Sequence, residues 1–359
     1  MSPDNSNNKK IARTRHIKYF TYFLDILPAR MSMYDSIRVS IAFFAISGLD
    51  VLDAINTLEE SKRKNICDWL YSLQVLPNDS GDCSCCGFQG SSTLIARGLN
   101  YQACGHLAMT YTALACLIIL GDDLSRVDKT AVLAGVRALQ QQDGSFRSTM
   151  AGSENDMRFV YCASCICYML KDWSGMDVER TVDYIVQSLS YDGGIGQGPH
   201  SESHGGSMFC AVASLTLMGR LHTTFNSKQV FKLILLLEGL RRWAIMRQEN
   251  GFQGRPNKEV DTCYSFWVGA TLKMLDMLTS MDFVENRSFV MSTQHDVAGG
   301  FSKFVNTVPD PLHTYLGLSG LSLMGEKGLL QIHPALNITE RAYSHLQRLH
   351  DSWPDTTSQ

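Results

Sequence analysis

The chain has 359 residues, a formal net charge of −3, 45% hydrophobic residues and 19% charged residues. That is the make-up of an ordinary globular core. The near-neutral balance gives no electrostatic footing for nucleic acid or an anionic membrane surface, so any basic site must be local.

Residues 1–15 are polar and basic, without the apolar stretch of a signal peptide, and are expected to be disordered. An amphipathic stretch follows from His16 to Leu27. A second, Ser36 to Leu52, interleaves small and aromatic residues. Helix-type periodicity dominates from there on. Five glycine-rich turns then each give way to an apolar, helix-like run. The turns are Gly87-Phe88-Gln89-Gly90, Gly144-Ser145-Phe146, Gly193-Gly194-Ile195, Gly251-Phe252-Gln253-Gly254 and Gly299-Gly300-Phe301. The runs begin near His106, Arg158, His204, Asp261 and His313. From the second turn the spacing is about 50 residues, a period that marks a repeat architecture. One unit cannot bury its own apolar face, so the repeats should close into one domain of two concentric helical rings, over 16–353. Residues 354–359 read as a frayed tail.

Three stretches stand apart from the repeat. Cys83, Cys85 and Cys86 cluster before the first turn, without a matched pair elsewhere that would make a metal site. Asp122-Asp123 lacks the third acidic residue of a D-D-x-x-D magnesium motif and reads as a loop. Leu233 to Leu240 lengthens the interval between two repeats. Many of the eleven cysteines, such as Cys116, Cys162, Cys165, Cys167 and Cys210, sit in apolar helical patterns, where a free thiol behaves as a small hydrophobe. Reduced thiols and a cytoplasmic setting are expected. No apolar run approaches the roughly 18 to 20 residues of a membrane span.

Equivalent positions in a closed repeat lie on one rim, and this repeat varies at its helix starts. Asp261 and Cys263 open the fourth run and His313 the fifth. Carboxylate, thiolate and imidazole suit zinc, and three protein ligands leave a fourth position open. A helix-capping Asp and a buried Cys would explain the first two without a metal. Arg255, Lys258 and Tyr264 flank Asp261. His204 heads the third run, followed by Gly205 and Gly206, which let backbone approach a ligand. Together these donors suit a phosphate or diphosphate; a solvated loop and a plain helix cap are the alternatives. Tyr161, Phe209, Cys210, Phe266 and Trp267 pattern as core, or as the wall of a central funnel.

At these residues the chain resembles the β subunits of protein prenyltransferases, most closely the type I geranylgeranyl branch. The resemblance is carried by Ser36 to Phe44 with Ser47-Gly48-Leu49-Asp50, Gly121 to Asp128, Gly152 to Cys167 and His204-Gly205-Gly206. Its most specific passage is Gly254 to Ala270, GRPNKEVDTCYSFWVGA. It covers about residues 16–353. It implies an all-α fold, an α/α toroid (α6–α6 barrel) of helical-hairpin repeats, held in the crescent of a helical-hairpin α subunit. The implied activity is zinc-dependent transfer of a geranylgeranyl group from geranylgeranyl diphosphate to the cysteine of C-terminal Cys-a-a-X sequences, with X mainly Leu or Phe. By position, Asp261, Cys263 and His313 match zinc ligands. His204, Arg255, Lys258 and Tyr264 match diphosphate contacts, with Gly205 and Gly206 beside them. Tyr161, Cys210 and Trp267 match the lipid funnel, and His106, Glu154 and Arg158 the peptide's C-terminal end. Phe44 and Leu312 match walls of the peptide side-chain pocket. Lys303 stands where farnesyl relatives place a magnesium-binding Asp, so its ammonium should take over charge neutralisation and make magnesium dispensable. The loop from Ser92 to Gly105 is shorter than the family's usual one.

The resemblance leaves rivals open: a farnesyl or Rab-type β subunit, a toroidal terpene cyclase, or a non-enzymatic toroidal binding module. A cyclase would need a D-x-D-D acid motif, which the sequence lacks. The lipid-length choice rests on Ser40, where farnesyl relatives carry a funnel-shortening Trp. Ser40→Trp is therefore expected to shift donor preference toward farnesyl diphosphate. Competition between the two diphosphates, with an unchanged product ratio, would rule that out.

Overall fold

The computed structural model describes residues 9–25, 27, 29–94, 103–152, 154–221 and 237–354. Its helices are α1 (Arg13–Phe23), α2 (Arg38–Val51), α3 (Glu60–Ser72), α4 (Leu107–Leu120), α5 (Lys129–Leu139), α6 (Met157–Met169), α7 (Val178–Gln187), α8 (Gly205–Leu217), α9 (237–245), α10 (Tyr264–Met274), α11 (Phe283–Ser292), α12 (Pro311–Leu323) and α13 (Glu340–Ser352). Strand structure among the described residues is limited to two-residue ladders. β1 (Gln74–Val75) pairs antiparallel with β2 (Gly87–Phe88), and β3 (Ile332–His333) with β4 (Ile338–Thr339). The fold is all-α, as expected.

Alternate helices behave differently because their sequences do. Helices α2, α4, α6, α8, α10 and α12 are apolar on nearly every side and are buried accordingly. Each packs on the next, and α12 packs back on α2, which closes an inner ring. The helices between them are amphipathic. Helix α7 buries only Thr181, Val182, Tyr184 and Ile185, and α13 only Ala342, Leu346 and His350. These form the outer layer.

The glycine turns hold the repeats in register. Gln74 pairs with Phe88, Gln140 with Phe146, Leu189 with Ile195, Gln248 with Phe252 and Gln294 with Phe301. The second partner in every pair, Phe88, Phe146, Ile195, Phe252 and Phe301, is fully buried. Glycine is obligatory at Gly144, whose φ is +91° and whose missing Cβ would meet the Arg180 carbonyl oxygen at 2.1 Å.

A second set of backbone bonds links each inner helix start to a neighbouring turn. Val39 donates to Gly90 O at 3.1 Å, Leu107 to Ser148 O at 2.8 Å, Met157 to Gln197 O at 2.9 Å, Gly205 to Gly254 O at 2.8 Å and Thr262 to Lys303 O at 3.2 Å. Where the ring returns to its beginning, α1 takes over. The Gly300 N–H donates to His16 Nδ1 at 2.9 Å, and His16 Nε2 meets Gln294 Oε1 at 2.9 Å. With Nδ1 accepting, Nε2 carries the proton of the neutral ring. His16 is fully buried and stacks on Phe301.

This docking corrects the expected boundary at residue 16. Within 1–15, residues 9–15 are built into the domain, because they have partners there. Lys9 pairs with Asp296 at 3.0 Å and the Ala12 N–H donates to Gln294 Oε1 at 2.9 Å. Residues 1–8 and 355–359 lie outside the described residues, as do 233–236 of the Leu233 to Leu240 stretch and 95–102 of the Ser92 to Gly105 loop. Residues 237–240 are helical, within α9.

Burial pushes His16 down from 6.5 to about 4, with the Gln294 bond opposing. Its folded value lies below its unfolded one, so its contribution is full above pH 6.5 and is lost as pH falls toward 4. Between pH 7 and 5 the loss should be about 2 kcal/mol. His333 is depressed to about 4 by the same cause, so the informative comparison is with His16→Gln. The variant's melting temperature should fall less steeply with acidification, and superimposable pH profiles would overturn the assignment.

Candidate metal and diphosphate site

The inner helices present their N-termini at one rim, and each start leaves backbone N–H groups without intrahelical partners. Side chains satisfy them. His106 Nδ1 accepts from Ala108 at 3.2 Å, Asp156 from Arg158 at 2.9 Å, His204 Nδ1 from Gly206 at 3.1 Å and Asp310 from His313 at 2.9 Å. At the fourth unit Asp261 accepts from Cys263 at 2.9 Å. The caps and turns are thus where polar chemistry collects.

Three helix starts fall slightly off expectation. Asp261 and Cys263 form a turn that precedes α10 rather than its first residues. Arg158 and His313 lie inside their helices, one and two residues beyond Met157 and Pro311, behind the true caps Asp156 and Asp310.

The Asp261 carboxylate, Cys263 sulphur and a His313 ring nitrogen all lie within 4.8 Å of one another. Among the described residues this is the one convergent group of three or more metal-type donors, so Cys83, Cys85 and Cys86 do not form a second. His313 Nε2 faces Asp261 Oδ1 at 3.2 Å, while Nδ1 meets Asp310 Oδ2 at 2.6 Å. Asp310 therefore fixes both the backbone and the ring of His313, the carboxylate–histidine pairing that orients a metal ligand. Sequence reading missed Asp310, although its place before Pro311 is the ordinary signal for a cap.

The electrostatics call for a cation. Burial alone would lower His313, but the bonds to Asp261 and Asp310 reverse that and raise it to about 9. Burial opposes ionisation of Asp261, yet His313 and the Cys263 N–H hold its carboxyl below the usual range. Burial and then the Asp261 charge push the Cys263 thiol well up. One carboxylate, a latent thiolate and an imidazole backed by the Asp310 carboxylate fit zinc in charge and donor type.

Next to this point is a surface cavity of about 420 Å³ lined by Gly254, Arg255, Lys258, Asp261, Tyr264 and Lys303, among others. Lys303 Nζ stands 3.7 Å from Asp261 Oδ2 and so spans the two sites. Arg255 is held by Glu202 at 3.0 Å. Gly254 is forced by Tyr264, whose ring would lie 2.1 Å from any added Cβ. The Tyr264 hydroxyl and His204 Nε2 are 3.0 Å apart. Burial, then the Arg255 charge, lowers His204, so the ring is neutral at pH 7. Since Nδ1 accepts from Gly206, Nε2–H donates to Tyr264, whose own hydroxyl proton is free to donate elsewhere.

Aromatic residues expected to wall a lipid funnel touch one another. Tyr161 contacts Phe209 with ring centroids 5.2 Å apart, and Phe209 contacts Trp267 at 4.8 Å. Cys210 lies on the same helix as Phe209, and its buried thiol is pushed well up. Trp267, Ser40 and Phe44 keep partial exposure on otherwise buried helices. Ser40 Oγ lies 3.5 Å from Met109 Sδ, and Phe44 packs toward Tyr315 at 6.3 Å. Leu312 is half-buried beside His313. On the rim, Arg158 pairs with Asp156 at 2.6 Å and Glu154 at 3.8 Å, and both Glu154 and Arg158 act on His106. Among the described residues no helix is long and apolar enough to cross a membrane.

Residues 11–338 match the prenyltransferase alpha-alpha toroid domain. The chain is 40% identical to the geranylgeranyl transferase type-1 subunit beta of Arabidopsis thaliana, over 93% of this chain and 90% of that one. It is 37% identical to the Dictyostelium discoideum protein of the same name, over 94% and 96%. The solved structure of Candida albicans protein geranylgeranyltransferase-I complexed with GGPP superposes with a TM-score of 0.84 at 24% identity, covering 95% of this chain and 99% of that one. At that identity the likeness speaks to the fold.

His313 must shed its proton to bind a metal, and so must Cys263. Apparent zinc affinity should therefore rise by at least about tenfold per pH unit between pH 6 and 8. Competition with a chromophoric chelator measures it, and a flat profile would sink the ligand assignment. Cys263→Ala should purify without zinc.

Proposed function

We propose, from the premise that this chain belongs to the prenyltransferase alpha-alpha toroid family, that it is the catalytic β subunit of a type I protein geranylgeranyltransferase. It joins a geranylgeranyl group to the cysteine of Cys-a-a-X protein C-termini. The observation that carries this is the convergence of Asp261, Cys263 and His313 beside a cationic cavity and an aromatic wall. The reading includes an α subunit as obligate partner and residence in the cytoplasm.

Asp261, Cys263 and His313 would hold zinc, which would supply the means to ionise a substrate thiol at neutral pH; a free thiol has a pKa of about 8.5. The chain's own residues handle the other half of the reaction. As the thiolate bonds to C1 of the allylic diphosphate, the C1–O bond breaks and negative charge grows on the departing oxygen. Arg255, Lys258 and Lys303 neutralise that charge, and the free hydroxyl proton of Tyr264 meets it, aligned by neutral His204. These donors are placed before the reaction, which is why they lower the barrier. Lys303 reaches from the cavity toward Asp261 and takes the place of a second metal, so magnesium should be dispensable. Trp267, Phe209 and Tyr161 shelter the isoprenoid, with Ser40 leaving its far end room. His106, Glu154 and Arg158 serve the peptide's C-terminal end, while Phe44 and Leu312 bound its side-chain pocket.

The test is co-expression with an α subunit, zinc analysis, and prenylation of Cys-a-a-Leu against Cys-a-a-Ser peptides with either diphosphate. Geranylgeranylation of the Leu peptide without magnesium is expected; turnover that requires an escort protein, or farnesylation of the Ser peptide, would replace this reading. Tyr264→Phe should lower kcat by about tenfold or more with zinc content unchanged.

A further inference from the structure

The cysteine cluster before the first turn is built as pairs. Cys104, well separated from Cys85 in sequence, lies close enough for its thiol to act on the Cys85 thiol. Their backbones are joined as well: the N–H of Gly105, directly after Cys104, donates to the Cys85 carbonyl at 2.8 Å. Thr149 Oγ1 holds Cys104 Sγ from the other side at 3.3 Å. Both cysteines are half-buried and so reachable by small reagents. Neighbouring thiols on directly hydrogen-bonded backbone are the arrangement from which a disulfide forms. A third sulphur does not join them, which separates this pair from a metal site.

We propose that Cys85 and Cys104 are a reversible thiol–disulfide pair that pins the entry to α4 when oxidised. The position gives the bond a consequence. Cys104 precedes His106, which caps α4 and meets Glu154 and Arg158 at the rim, while Leu107 is tied to Ser148 beside Thr149. A covalent tie at Cys104 fixes the approach of His106. The oxidant is a hydroperoxide such as hydrogen peroxide. The Cys104 sulphur attacks the O–O bond, giving a sulfenic acid and one water. The Cys85 sulphur then attacks the sulfenic sulphur, forming S–S and releasing a second water. In sum, two thiols lose two protons and two electrons, and one peroxide becomes two waters.

The test treats the purified heterodimer with hydrogen peroxide at pH 8 and maps cross-linked peptides by mass spectrometry without reductant. A cross-link joining the two segments is expected, lost in Cys85→Ser and in Cys104→Ser, kept in Cys83→Ser and Cys86→Ser, and reversed by dithiothreitol. Oxidation should change KM for the Cys-a-a-Leu peptide at least twofold in the native protein and leave the Cys85→Ser/Cys104→Ser variant unmoved. No cross-link, a cross-link that survives Cys85→Ser, or a cross-linked enzyme with unchanged KM would each overturn the proposal. The cross-link readout is independent of the transferase reading.

Discussion

The structure depends on how the inner helices satisfy their first backbone N–H groups. Those groups face a rim where neither the same helix nor the apolar core offers acceptors. Part of the demand is met by the turn of a neighbouring repeat, as in Gly205 to Gly254 and Thr262 to Lys303. The rest is met by side chains with oxygen or nitrogen acceptors. A single requirement of helix termination therefore fixes the ring's register and collects histidines and aspartates at one edge.

Function is layered on that requirement. Asp310 accepts from the backbone with Oδ1 and turns Oδ2 on the His313 ring, while Asp261 uses Oδ1 for both the Cys263 N–H and His313 and leaves Oδ2 to Lys303. His204 uses one ring nitrogen for Gly206 and the other for Tyr264. The cap reading of His204 holds and does not compete with the proposed catalytic one, because the ring's two nitrogens serve separate partners. The result is a negative point beside a positive cavity, with Lys303 reaching across between them.

Much of this was legible before any coordinates. The glycine turns and their period announce repeats, and Asp261, Cys263 and His313 take equivalent places in adjacent units. Helix starts were legible only to within a residue or two, since periodicity marks the apolar face and not the cap. Asp310 escaped notice because, in a linear reading, it looks like any cap; its grip on the His313 ring exists only once the turn folds. The docking of residues 9–15 escaped for a related reason. Their partners, Gln294 and Asp296, are some 280 positions away, and a polar stretch carries no sign of a distant acceptor. The Cys85–Cys104 contact is of the same kind, since the intervening chain hides it.

The seam where α1 meets the last glycine turn bears on how such a chain is made. His16 and Gly300 are 284 positions apart. The leading helix emerges from the ribosome long before its partner turn exists, and the nascent ring remains an open arc with an apolar edge. Closure is a late, long-range event of the slow and aggregation-exposed type. A truncated product is consequently not a smaller toroid but an unclosed one, marked for chaperones or proteolysis.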